Sequence, residues 1–181
     1  MNRFGINILF ATILILVAAS MKLLTHPHSI DPIIALSLFS GVIIKDRKWS
    51  FAIPLFTLLL SDILLEIAFP GNGFYGTSQI GNYFSLLFIT VLGFGMKKIN
   101  WITVPLFSVS ASLAFYFLSN TNVFLSDVDS YYSKDLNGYF NCMIAGIPFI
   151  KNSLINDLMF SAILFGGYVF VYKKRIALAK A

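Results

Sequence analysis

Phe51 to Phe69, FAIPLFTLLLSDILLEIAF, is long and apolar enough to cross a bilayer as a helix, yet it carries Asp62 and Glu66. The two acids are four residues apart and share one face of such a helix. A carboxylate in hydrocarbon is costly unless it is paired, protonated or turned toward a wet cavity, so an intramembrane acid marks a functional position by default. What this chain can be depends on what those acids face.

The rest of the chain is of the same kind. Of 181 residues, 57% are hydrophobic and only 12% charged, where a soluble domain has about a quarter charged. The net charge of +5 sits in short clusters between apolar runs, the pattern of loops beside anionic headgroups rather than of a nucleic-acid-binding face. The single cysteine, Cys142, excludes an intramolecular disulfide and a cysteine-rich metal site. No cofactor is expected, and there is room for one membrane domain, 1–181, without a separate catalytic domain.

Six candidate spans follow from the apolar runs: 6–24, 32–44, 51–69, 82–96, 101–118 and 154–172. The first begins like a signal peptide, with Ala18-Ala19-Ser20 as a cleavage-like site, but its apolar run continues through Leu24 and reads as a retained helix. The second is short for a full crossing unless neighbours cover its ends. In the third, Pro54 is placed to loosen the first turns. Pro70 to Gly81 reads as a glycine-rich loop and Ser119 to Asn137 as a polar one. Gly138 to Ile150 is apolar but short and interrupted by Pro148, which predicts a re-entrant or surface segment.

Six spans place both termini on one side. With that side cytoplasmic, it collects Arg3, Lys45, Arg47, Lys48, Lys97, Lys98, Lys173, Lys174, Arg175 and Lys180, leaving Lys22, Lys134 and Lys151 outside. This orientation brings Asp62, Glu66, Asn120, Asn122, Asn152, Asp157 and His26 toward the outer leaflet, as candidate ligands of one outward-facing pocket. Each has a plainer reading. Glu66 is close enough to the interface for headgroup water, Asp157 suits a helix start, and His26 suits a loop-ordering hydrogen bond. Asn120 and Asn122 suit ordinary turns, and Cys142 suits a small buried apolar group. Ser108/Ser112 and Ala162/Gly166 are small-xxx-small pairs that let helices approach closely.

Three blocks, LLTHPHSIDPIIALSLFSG, IPLFTLLLSDILLE and CMIAGIPFIKNSLINDLMFSAILFGG, resemble a bacterial six-helix membrane family, a domain of unknown function labelled with transport. His26, Pro27, Pro32, Phe39, Gly41, Ser61, Asp62, Cys142, Pro148, Asn152 and Asp157 fall on its pattern. His28, Ile150, Ser153 and Asn156 depart from it. The arrangement is also similar to the substrate-binding S components of energy-coupling-factor (ECF) transporters, which hold a small molecule such as a vitamin or cofactor near the outer face. That likeness implies an energy-coupling membrane subunit with ATPases as partner. The docking alanines of those proteins are incomplete here, with Ile15 four residues after Ala11.

The expected fold is therefore an all-α integral membrane bundle of six transmembrane helices, S-component-like, in the bacterial cytoplasmic (inner) membrane. The expected function is transport, or substrate capture for it, rather than catalysis. The sequence holds no HExxH and no nucleophile motif. A structural subunit whose polar groups pair with another membrane chain is the alternative, and a membrane enzyme using His26, Asp62 and Glu66 the more distant one.

Overall fold

The computed structural model describes residues 15–18, 20–22, 24, 32–74, 76, 78–126 and 131–180, with side chains as far as 171. Among the described residues there is no strand. The helices are α1 (helical residues between 15 and 24), α2 (Ile33–Ile43), α3 (Arg47–Ala68), α4 (Ser78–Phe94), α5 (Thr103–Ser126) and α6 (Leu136–Lys180).

α2 lies at the centre and packs against α3, α4, α5 and α6, and every residue from Ile33 to Gly41 is buried. Its 11 residues rise only about 16 Å, so the neighbours that enclose it cover its ends. Two glycines let α2 and α4 cross closely. A Cβ on Gly41 would lie 2.2 Å from the Thr90 carbonyl oxygen, and one on Gly93 would lie 2.6 Å from that of Leu38. Around this crossing Phe39 meets the ring of Phe165 edge-on at 5.1 Å, in a core shared with Leu38, Leu86, Ile89 and Ala111.

Both intrahelical prolines are accommodated. Pro54 cannot donate to the Ser50 carbonyl, and the Ser40 hydroxyl of α2 donates to that oxygen instead, at 2.8 Å. α3 consequently runs unbroken from Arg47, with Asp46 accepting from the Lys48 amide at 2.9 Å at its start. The re-entrant or surface segment expected at 138–150 does not form. It is the first third of α6, an unbroken helix of 45 residues with Pro148 inside it. Just over a turn before the proline the Tyr116 hydroxyl of α5 donates to the Met143 carbonyl and ties α5 to this part of α6, while the carbonyl that loses its ladder donor to Pro148 is that of Ile144. Asp135 starts the helix by accepting from the Gly138 amide at 2.8 Å and from the Ser133 hydroxyl at 2.7 Å, and these bonds hold its carboxyl below the usual range.

Other boundaries move as well. α5 continues through Ser126 into the stretch read as a polar loop, and α4 begins at Ser78, inside the glycine-rich loop. Two helices, Arg47–Ala68 and the Leu136–Val171 part of α6, are long and apolar enough to cross a bilayer, while α2 and α4 are shorter apolar helices. Six full-length spans are therefore not what the helices themselves show. Large apolar side chains crowd the surface, and small hydroxyls are buried beside the apolar core. Phe56, Ile67, Phe84, Phe117, Phe149 and Phe170 are exposed, whereas Ser37, Ser40, Thr57, Ser61, Thr90 and Ser108 are buried. Several buried hydroxyls bond back to their own helix, as Ser37 does to Ile33, Thr57 to Ile53 and Thr90 to Leu86.

Candidate functional site

The polar side chains expected to share one pocket do not: Asp62 and Glu66 lie in one group, Asp157 and Asn120 in another. The first surrounds Asp62, which is 1% exposed and has both carboxylate oxygens engaged. Lys22 of α1 donates to Oδ1 at 2.6 Å, and Gln79 of α4 donates to Oδ2 at 2.6 Å. An acid in an apolar helix is thus neutralised by a lysine and oriented by an amide, which joins α1, α3 and α4 at one point. Glu66, one turn further along α3, folds the following loop back onto the helix. It accepts from the Gly71 amide at 3.0 Å and the Gly73 amide at 2.9 Å. Gly71 takes a left-handed φ of 86°, and a Cβ on Gly73 would lie 2.2 Å from the Asp62 carbonyl oxygen.

The second group lies between α5 and α6, the most extensive helix interface in the molecule. Asp157 is 2% exposed. Its Oδ2 accepts from Ser112 of α5 at 2.6 Å and from Ser153, one turn before it on α6, at 3.1 Å. Ser161 donates to Ser108 at 3.2 Å and extends the seam. The Ser108/Ser112 pair is therefore buried as a polar seam at this interface, whereas Ala162 and Gly166 point away from it, both exposed and with nothing near a Cβ built on Gly166.

Beyond Ser153 the two helices part around a cavity of about 380 Å³. Phe115, Tyr116, Tyr132 and Phe149 supply aromatic walls, and Ser119, Asn120 and Ser153 supply polar points, with Asp157 behind Ser153. Apolar walls with a few placed polar groups are the composition of a small-molecule site. Asn120 lies on the cavity with its amide over Gly146, while Cys142, also in the wall, donates to the Asn120 carbonyl at 3.4 Å.

Asn122 belongs to neither group: its amide donates to the Ser78 carbonyl at 2.6 Å and ties α5 to the start of α4. Asn152 is exposed and does not line the cavity. His26 lies outside the described residues. The sequence reading missed Lys22, counted only as an outer base, and Gln79, which fell inside the presumed loop. It also missed Ser153 and the aromatic wall of α5. Lys22 had a signal, being the only base in the first apolar run and at the depth expected for Asp62. Among the described residues no three His, Cys, Asp or Glu side chains come together in a way that could hold a metal ion.

The described residues thus form an all-helical bundle with large apolar side chains exposed, hydroxyls buried beside an apolar core and two helices of bilayer-crossing length. It belongs to a family of unknown function, DUF6580, whose profile matches residues 2–179. No curated protein and no solved structure matches the chain. The family brings no activity with it, so the S-component likeness rests on the residues alone.

Proposed function

We propose that the chain is a multi-pass membrane transport protein, or the substrate-binding subunit of one, that captures a small molecule in the cavity between α5 and α6. The observation that carries this reading is the cavity itself: about 380 Å³, walled by aromatic rings and backed by a buried carboxylate one hydrogen bond away. The many large apolar side chains left exposed around the bundle support a bilayer setting for it. With both termini cytoplasmic, α5 runs outward and α6 returns, so the cavity lies in the outer half. The Lys22–Asp62–Gln79 cluster lies at a similar depth. The chain carries no ATP-binding motif, so energy comes from a partner, such as an ATPase-coupled membrane subunit, or from an ion gradient. A proton taken up by Asp62 would weaken its hold on Lys22 and free α1 from α3.

Mass spectrometry of protein purified gently from native membranes tests the reading. Wild-type protein is expected to carry a small molecule in near-stoichiometric amount, and Ala145→Trp, which fills the cavity from its own wall, is expected to carry none. Equal retention by both proteins, or a stoichiometric membrane partner with no small molecule, would overturn it and favour a structural subunit.

A further inference from the structure

Four polar side chains that line the α5–α6 cavity have already committed protons to the protein. Tyr116 donates its hydroxyl proton to the Met143 carbonyl. Ser119 donates to the Tyr116 carbonyl at 3.3 Å, and the Asn120 amide nitrogen donates to the same carbonyl at 2.8 Å. Ser153 donates to Asp157 at 3.1 Å. A hydroxyl has one proton and two lone pairs, and only the nitrogen of an amide side chain can bond a carbonyl, which fixes the orientation of Asn120. What these four side chains have left is therefore chiefly acceptor capacity, at Tyr116 Oη, Ser119 Oγ, Asn120 Oδ1 and Ser153 Oγ. The second amide proton of Asn120 is the exception.

Two further facts point the same way. Among the described residues no lysine, arginine or histidine lines the cavity, and a buried carboxyl group, that of Asp157, lies directly behind Ser153. The walls include the aromatic rings of Phe115, Tyr116, Tyr132 and Phe149, and an aromatic ring is a partner for a cation, which its quadrupole attracts. An anion in this space would meet acceptor oxygens and rings, with no cationic side chain among the described lining residues to offset its desolvation. A protonated amine would meet acceptors for its N–H groups.

We propose that the cavity takes an organic ammonium ion, an amine carried on an apolar or aromatic body. The assignment rests on the reading of this cavity as the capture site and names the class of its ligand. At about 380 Å³ the space is near the small end of ligand sites, which run from about 300 to 1,000 Å³, so the body is compact.

Calorimetry on the full chain in nanodiscs, with three probes sharing one body, tests it: 2-phenylethylammonium, 2-phenylethanol and phenylacetate. The ammonium is expected to bind at least about tenfold more tightly than the alcohol, and phenylacetate not measurably. Ser153→Ala and Ser119→Ala are each expected to weaken the ammonium about tenfold, as loss of one hydrogen bond to a charged group would, without changing the unfolding temperature much. Asp157→Asn is expected to narrow the gap between ammonium and alcohol, and if it fails to fold the two serine variants carry the test. Phenylacetate or the alcohol binding as tightly as the ammonium would overturn the ligand class, while loss of that binding in Ala145→Trp would leave the capture site standing. Binding of none of the three would also overturn the ammonium assignment, and the capture site is then decided separately by the co-purified molecule.

Discussion

Asp62 shows how a carboxylate is tolerated inside an apolar helix. Its charge is met by Lys22 and its second oxygen by Gln79, each at 2.6 Å, so no lone charge faces hydrocarbon. Removing one partner of such a pair is the costly change. Asp62→Asn leaves the Lys22 ammonium without its counter-charge and is expected to cost about 3–5 kcal/mol, measured by unfolding in mixed micelles. Replacing both, with Lys22→Met and Asp62→Leu together, is expected to cost less than either change alone, the signature of a coupled pair. An additive double variant would show that the pair contributes nothing. That Asp62 sits deep and needs a partner is legible in the sequence, because an acid amid leucines has few alternatives. The partners are not, since Lys22 lies 40 residues away and only the folded bundle brings α1 beside α3.

At the scale of elements, runs of apolar residues locate α2 and α3 well and misjudge α5 and α6. The reason is that a helix ends where its backbone loses partners, not where its side chains turn polar. Asn120 and Asn122 continue α5 past Leu118 because their amides bond helix carbonyls, that of Tyr116 within α5 and that of Ser78 in α4. Pro148 does not end α6, which runs on through it beside the bond from Tyr116 to the Met143 carbonyl, a tertiary contact no local pattern records. Glycines divide in the same way. Gly41→Ala drives a methyl group against the Thr90 carbonyl and is expected to destabilise by about 1–3 kcal/mol. Gly166→Ala meets nothing and is expected to be neutral or to stabilise by roughly 0.5–1 kcal/mol through helix propensity. Thermal unfolding of the two variants in detergent decides this, and equal effects would show that the α2–α4 crossing is looser than described. From sequence alone, Gly166 is the one that looks like a packing glycine.

For the molecule as a whole, the proposed orientation predicts which ends a membrane-impermeant reagent can reach. Arg47 of α3 stacks over Phe94 of α4 at 3.7 Å, so the α2–α3 and α4–α5 turns, with Lys45, Lys48, Lys97 and Lys98, share one end of the bundle. In a Cys142→Ala background, Lys98→Cys is expected to react with a thiol reagent only from the cytoplasmic side, and Lys134→Cys only from outside. Labelling of both from one side would refute the six-pass arrangement. That the bases of the α2–α3 and α4–α5 turns gather at one end is readable along the chain. The separation of the polar residues into two groups is not, because it depends on α3 packing with α2 and α4 while α6 packs with α5.

α6 has 45 residues, so it extends about 67 Å, well beyond the roughly 40–45 Å of a whole membrane including headgroups. In the proposed bilayer setting one stretch of it walls the cavity while another stands clear of the lipid, which would make the helix a lever with its fulcrum in the membrane. A push or pull on the protruding arm would swing Phe149 and Ser153 at the far end, so load from an adjoining subunit could open or shut the binding space without any contact near it.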